Sequence, residues 1–218
     1  MASSSSRRAP DSNRATAAYE GLLDRILSKE ISNGDVLSER HLAEQLNVSR
    51  TPLRAALGRL EQEGLVMRTP SGGLMLRVPM VEDILEILSV RRLLESEAAS
   101  LAAGHIDVAE LRIWRRNFLK WSKARSTNQE KFWEADEEFH ASIAEASGNT
   151  MIARLIQNLR MRTRTFEARR MPVRHKENCL EHLAIIDALE RHDKEASRYA
   201  MQEHLDNVRK SILATLPE

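Results

Sequence analysis

Hydrophobic and polar positions along this chain repeat mainly at helical spacing, interrupted by one short stretch of strand character. Tyr19, Leu22, Leu23, Ile26 and Leu27 place an apolar stripe on a helix over 15–29. Leu42, Ala43 and Leu46 do the same for a compact helix over 39–46, with Ser38 before it as a cap. Asn47, a residue tolerant of left-handed backbone, breaks the pattern. Leu53, Ala56, Leu57 and Leu60 then form the apolar face of a further helix, which Ser49 is expected to cap and Gly64 to end. Pro52 lies in its first turn, where the N–H it lacks has no intrahelical partner. Residues 65–68 and 74–78 read as two short strands around the turn Pro70-Ser71-Gly72-Gly73. Three helices and a hairpin predict a winged helix-turn-helix over 15–79, after a serine-rich, disordered tail at 1–14.

From about Met80 glycine and proline become rare and the periodicity is helical to the end. It predicts helices near 81–103, 107–125, 128–147, 150–170, 174–191 and 193–215. Their boundaries are marked by Gly104 with Asp107, Ser126 to Asn128, Gly148-Asn149, Pro172 and His192-Asp193. Short connections favour antiparallel neighbours, so 80–218 reads as an all-α antiparallel helical bundle. The fold class is mostly α, with two domains. Apolar residues of the early bundle helices (Leu85, Leu88, Leu101, Trp114, Phe118 and Trp121) are candidates for a homodimer contact.

The helix after Asn47 carries the clearest chemistry. Arg50, Thr51 and Arg54 fall together at its start, away from the apolar face. A short helix that offers two guanidinium groups and a hydroxyl at its N-terminal turn suits the major groove of DNA. There arginine can read guanine O6 and N7 bidentately or grip a phosphate. The competing reading is a structural helical unit with arginines on a solvated face. Net charge is only +1 and decides nothing, but residues 40–77 hold six arginines against three glutamates. Arg7 and Arg8 in the tail offer weak additional DNA contacts. The single cysteine, Cys179, excludes an intrachain disulfide and suits a reducing cytoplasm, where a buried small side chain is its expected role. No apolar run reaches membrane-spanning length and the first residues lack a signal peptide's apolar segment, so a cytoplasmic protein without a membrane partner is expected.

In the bundle, Asp136 and His140 are one turn apart on a stripe with Trp133 and Ile143. His182 shares a stripe with Ile186 and Leu189, and His204 with Met201 and Val208. Three imidazoles and a carboxylate on apolar stripes can converge on a divalent ion, suiting zinc, nickel, manganese or iron better than calcium. Equally, each histidine can be satisfied by a hydrogen bond in the core, and spacing alone leaves both readings open. Arg91 lies among Ile84, Leu88, Leu94, Glu95 and Ala98, where a guanidinium needs a partner. That partner is either Glu95, one turn on, or an anionic effector. Arg162, on a face with Leu155, Leu159 and Phe166, is a second candidate.

Leu37-Ser38-Glu39-Arg40, Leu42-Ala43, the run from Leu46 to Leu57, Arg59-Leu60-Glu61 and Glu63-Gly64-Leu65-Val66 resemble the DNA-binding domain of GntR-family bacterial transcription regulators. The likeness covers residues 15 to about 79. It departs at Ala55, where a glutamate is common, and in the Gly72-Gly73 pair of the wing. It implies DNA contacts by Arg40, Ser49, Arg50, Thr51, Arg54 and Gly72. Asp136 to His140, Ala146 to Asn149, Glu181 to Leu189 and Ala200 to Leu205 resemble the FCD ligand-binding domain of the FadR-type subfamily. This implies a divalent transition metal on Asp136, His140, His182 and His204, zinc first, with nickel, manganese or iron as alternatives. His41, His105, His175 and His192 match no ligand position and are expected at the surface.

Val90 to Glu95 matches the start of the subfamily's ligand domain, which favours Arg91 as an effector contact. Asn149, expected to cap a helix, occupies a position that can also line the cavity. A metal beside arginines selects a small carboxylate such as a hydroxy or sugar acid. The resemblance thus implies a homodimeric regulator, a repressor by expectation, on an inverted-repeat operator. No P-loop, nucleophile elbow or Cys–His motif points to an enzyme. A metalloenzyme fused to a DNA-binding module and a ligand-independent architectural DNA binder are the alternatives.

Overall fold

The computed structural model describes residues 11–124, 128–170 and 174–214, so the expectations for Arg7, Arg8, Ser126 and Pro172 lie outside the described residues. The chain divides into two compact units, whose main bodies are the residues up to Pro79 and those from Met80 onward.

The first unit runs α1 (Asp11–Leu27), β1 (Val36–Leu37), α2 (Glu39–Gln45), α3 (Arg50–Gln62), β2 (Val66–Arg68) and β3 (Leu74–Leu76). Helix α1 begins before the expected Ala15 and takes in Asn13 and Arg14. Leu22 and Ile26 of α1 meet Leu53, Leu57 and Leu60 of α3 in a core that Leu65 and Leu76 complete, all fully buried. The Tyr19 hydroxyl donates to Glu63 at 2.7 Å, and the Arg59 guanidinium lies 3.7 Å above the Tyr19 ring while bonding Glu63 at 2.9 Å. Arg59 therefore ties the far end of α3 to α1.

Asn47 adopts φ 51, which makes the tight turn between α2 and α3. The Ser38 hydroxyl accepts from the His41 N–H, capping α2. Ser49 takes the extended backbone of an N-cap but accepts no helix N–H, contrary to expectation. The cause lies three residues on. Pro52 occupies the position whose N–H an N-cap hydroxyl often receives, and proline has none. The hairpin pairs Val66 with Leu76 and Arg68 with Leu74. Beside it β1, absent from the sequence reading, pairs antiparallel with β3 and gives the order β1-β3-β2. Two residues are too few for strand alternation to register. In the wing, the Thr69 hydroxyl accepts from the Gly73 N–H at 3.0 Å, and Gly72 sits at φ 84.

The second unit is α4 (Val81–Ala102), α5 (Val108–Ser122), α6 (Gln129–Ala146), α7 (Thr150–Arg170), α8 (His175–Glu190) and α9 (Lys194–Leu213). Asp107, Asn128 and Asp193 cap α5, α6 and α9 through their side chains. Asn149 caps α7 through Oδ1, which accepts from the N–H groups of Met151 and Ile152 at 3.1 and 3.2 Å. Helix α4 packs on α9 and α6, and α8 on α5 and α9. At the centre, Phe118 is fully buried against Trp114, Trp121, Phe139 and the His182 ring. Leu88, Trp114 and Phe118 are thus spent on this unit's own core and are unavailable for the dimer contact expected of them. The exposed apolar residues of α4 and α5 include Val90, Leu93, Ile113 and Leu119 instead.

Replacing Phe118 by Ala should cost about 3–5 kcal/mol, as for other fully buried aromatic side chains. Chemical denaturation of the two proteins measures this. A loss under about 1 kcal/mol would mean that the aromatic cluster is not the core of the bundle.

Candidate metal centre and nucleic-acid face

In the first unit Arg40, Ser49, Arg50, Thr51, Arg54 and Gly72 are all exposed. Arg50, Thr51 and Arg54 start α3, while Arg40 sits in the first turn of α2. Two of these arginines have partners: Arg54 Nε donates to Glu39 at 2.7 Å, and Arg40 Nε to Glu44 at 3.1 Å. The face has hydroxyl, guanidinium and helix N–H donors together, the inventory that phosphates and guanine edges accept.

In the second unit the helix phases of α6, α8 and α9 bring three histidines together. His140, His182 and His204 are all buried, and one ligand atom from each lies within 4.8 Å of the others. His140 Nε2 is 3.3 Å from His182 Nε2, which is itself 3.3 Å from Asp136 Oδ1. Adjacent ligands of a tetrahedral ion with bonds of about 2.0–2.1 Å stand roughly 3.3–3.4 Å apart. The outer nitrogens fit as well. Glu95 lies 2.5 Å from His140 Nδ1 and Glu181 lies 2.8 Å from His204 Nδ1, so each carboxylate holds its ring with Nδ1–H outward and the Nε2 lone pair inward. Among the described residues His182 Nδ1 has no hydrogen-bond partner; that ring is held by Phe118 and Phe139 at centroid distances of 4.6 and 5.0 Å. The three histidines therefore fit a divalent ion, and Asp136 lies beside His182 at its edge.

Electrostatics favour the same state. Burial, and after it the charge of Arg160, depresses the His140 pKa to about 4. Burial likewise presses His182 well below its usual range, helped by the neighbouring cationic groups and opposed by Asp136. Burial alone would raise Asp136 and Glu95, but the positive groups around them win. Arg160 holds Asp136 far below the carboxylate range; Arg91, the hydrogen bond from His140 and Arg160 do so for Glu95. Neutral imidazoles beside ionised carboxylates are the protonation states that a metal requires.

Arg160 was not among the residues picked from the sequence. It is 5% exposed and donates to Asp136 Oδ2 at 2.6 Å and to Glu137 at 3.1 Å, with Glu95 3.7 Å away. The expected residue, Arg162, is half-buried and lies roughly 200° around α7 from Arg160. The inner stripe is Ile156, Arg160 and Thr163, whereas Leu155, assigned to the inner face with Arg162, is exposed. An arginine four residues after an isoleucine, Ile156 to Arg160, was the available signal. Arg91 is buried and donates through Nε to Glu95 at 2.6 Å, the intrahelical pair that the sequence left open. Asn149 lines a recess of about 370 Å³ between α6 and α7, with Arg160 and Glu137 also in its wall. Of the other histidines, His41, His105 and His192 are exposed as expected, but His175 is half-buried with its ring against Phe132. Cys179 is buried, and desolvation with the nearby Asp136 charge pushes its thiol up to about 12.

Residues 14–76 match the gntR family of bacterial regulatory proteins, and residues 86–207 match the FCD domain. The HTH-type transcriptional regulator YcbG of Bacillus subtilis is 30% identical over 225 residues, covering 94% of both chains. Among solved structures, McbR/YncC of E. coli shares the fold with a TM-score of 0.76 at 22% identity, over 92% of this chain and 97% of that one. The metal-free FCD domain of TM0439 is 25% identical with a TM-score of 0.53, covering 63% of this chain and 96% of that chain.

The depressed histidines set a pH dependence. An unfolded histidine takes up a proton near pH 6.5, while folded His140 resists until about 4. Below pH 6.5 the unfolded chain thus binds more protons, and stability falls as pH falls. For His140 alone the loss by pH 4 is on the order of 3 kcal/mol. Thermal melts in chelator at pH 7.5, 6 and 5 should show steadily falling midpoints, and a flat profile would contradict the buried neutral cluster.

Proposed function

We propose an anion switch assembled around a metal for this chain, which belongs to the GntR family of bacterial regulatory proteins and carries an FCD domain. It is a transcriptional regulator with a DNA-binding unit and an effector-binding unit. In our reading Asp136, His140, His182 and His204 hold a divalent transition metal: zinc, nickel, manganese or iron by the chemistry of the donors. Arg50, Thr51 and Arg54 enter the major groove of an operator. Arg40, Ser49 and Gly72 hold its backbone.

The observation that carries the effector reading is the charge balance of the buried centre. Arg91 and Arg160 face Glu95 and Asp136, two charges of each sign, around His140 and His182, which burial keeps neutral. A divalent ion tips that balance to positive even when half-buried Glu137 is included. A small carboxylate restores it, and Arg160, beside Asp136, is the guanidinium placed to grip it. Arg160 thus replaces Arg162 as the second effector arginine; Arg91 acts through Glu95, and Asn149 lines the approach. Binding of the carboxylate repacks α6 and α7 around Arg160. A coupling of about 1–3 kcal/mol between effector and DNA changes operator occupancy roughly 5- to 150-fold. A homodimer on an inverted repeat in the cytoplasm, acting as a repressor that the carboxylate releases, completes the reading.

Two measurements test it. Asp136→Ala and His182→Ala should each lose bound metal by elemental analysis and lose the thermal shift produced by small carboxylates with metal present. Unchanged metal content, with DNA binding indifferent to every carboxylate screened, would remove the switch. On the DNA side, Arg50→Ala and Arg54→Ala should each weaken operator binding by about 1–3 kcal/mol in a fluorescence anisotropy titration. Untouched affinity in both would misplace the reading helix.

A further inference from the structure

The first unit's arginines are not equally free. Arg25, Arg40, Arg54, Arg59 and Arg68 each have a carboxylate partner. Arg14 and Arg50 make no hydrogen bond or ion pair among the described residues. Both line one recess of about 640 Å³, together with Arg40, Glu44, Asn47 and Ser49. Arg14 belongs to α1, Arg40 and Glu44 to α2, and Ser49 and Arg50 open α3, so three helices build this surface. Arg14 is half-buried, which limits the directions its guanidinium can take.

The recess is basic, three arginines against one glutamate that Arg40 already engages at 3.1 Å. It also holds donors that the fold leaves unused. The Ser49 hydroxyl accepts no helix N–H, and the first-turn N–H groups of α3 have no intrahelical acceptor. Asn47 stands at the turn with φ 51, which brings its side chain to the same rim. Cations in a recess whose one carboxylate is already engaged by Arg40, among unfilled N–H and O–H donors, suit an anion from outside. The surface adjoins the start of α3, where the proposed reading of DNA places the duplex.

We infer that Arg14 of α1 is a DNA contact that grips a backbone phosphate in the recess it shares with Arg50. This rests on the reading of the first unit as the DNA-binding unit. It adds a clamp from outside the helix-turn-helix, with a role distinct from that of a base reader. A phosphate contact acts on all sequences alike, because its energy is largely counterion release. A base reader discriminates.

The test uses the full chain and a 30-bp mixed-sequence duplex, followed by fluorescence anisotropy from 50 to 200 mM salt. Arg14→Gln should reduce the slope of log affinity against log salt by about 0.9 per bound chain, which is roughly an eightfold weaker affinity at 0.1 M. Arg14→Lys, which keeps the charge, should retain the wild-type slope. Arg50→Gln provides the parallel for the partner in the recess. Thermal melts identify a variant that has lost its fold; in that case Arg14→Lys against Arg14→Met gives the same comparison with the long stem kept. If wild-type protein binds the duplex and Arg14→Gln binds with the same slope, Arg14 is not a phosphate contact. If wild-type protein fails to bind duplex DNA at all, the DNA-binding reading itself falls.

Discussion

Glu95 is a carboxylate with almost no exposure, and the bundle is arranged around the need to satisfy it. Left alone, an ion at that depth costs several kcal/mol. It is met by Arg91 from its own helix, by His140 from α6 and by Arg160 from α7. Each of those groups then carries an obligation of its own. His140 is fixed with Nε2 turned inward, and Arg160 reaches on to Asp136, whose other oxygen faces His182. One buried charge thereby joins three helices and sets the tautomer and direction of the groups at the centre. Removal of Glu95 would leave buried Arg91 without its carboxylate and His140 Nδ1 without its acceptor, a larger loss than one ion pair implies.

Glu181 repeats the arrangement on the other side with different company. It accepts from Arg174 at 2.7 Å and from Asn207 at 2.9 Å, and it holds His204. His182 has no such carboxylate and depends on Phe118 and Phe139. Two of the three rings are therefore oriented by charge and one by packing, so the aromatic core and the candidate metal centre are mechanically one object.

The helices were legible because their stripes are long: α4 to α9 each offer several turns of repeating apolar positions, and only their ends shift by a few residues. The turn at Asn47 and the face of Arg50, Thr51 and Arg54 were legible because residue type and spacing agree there. The two-residue strand β1 offered no period to read. Arg160 was missed for another reason. Its helix, α7, is rich in arginine, and a stripe drawn through Leu155 instead of Ile156 turns the inferred inner face and selects Arg162. Leu88, Trp114 and Phe118 were candidates for a dimer contact on apolar character alone. Apolar character shows that a residue seeks cover; it does not say whether the cover is the chain's own.

Arg54 and Glu39 are 2.7 Å apart in the free protein, one at the start of α3 and one at the start of α2. In the proposed complex with DNA, that carboxylate is a rival held permanently at the arginine's side. A lone phosphate on a random sequence offers Arg54 little more than Glu39 already does. A guanine edge, with two acceptors matched to the guanidinium fork, offers a different geometry. In that proposed complex the pair is an internal competitor, and Arg54 gives up Glu39 whenever it engages DNA.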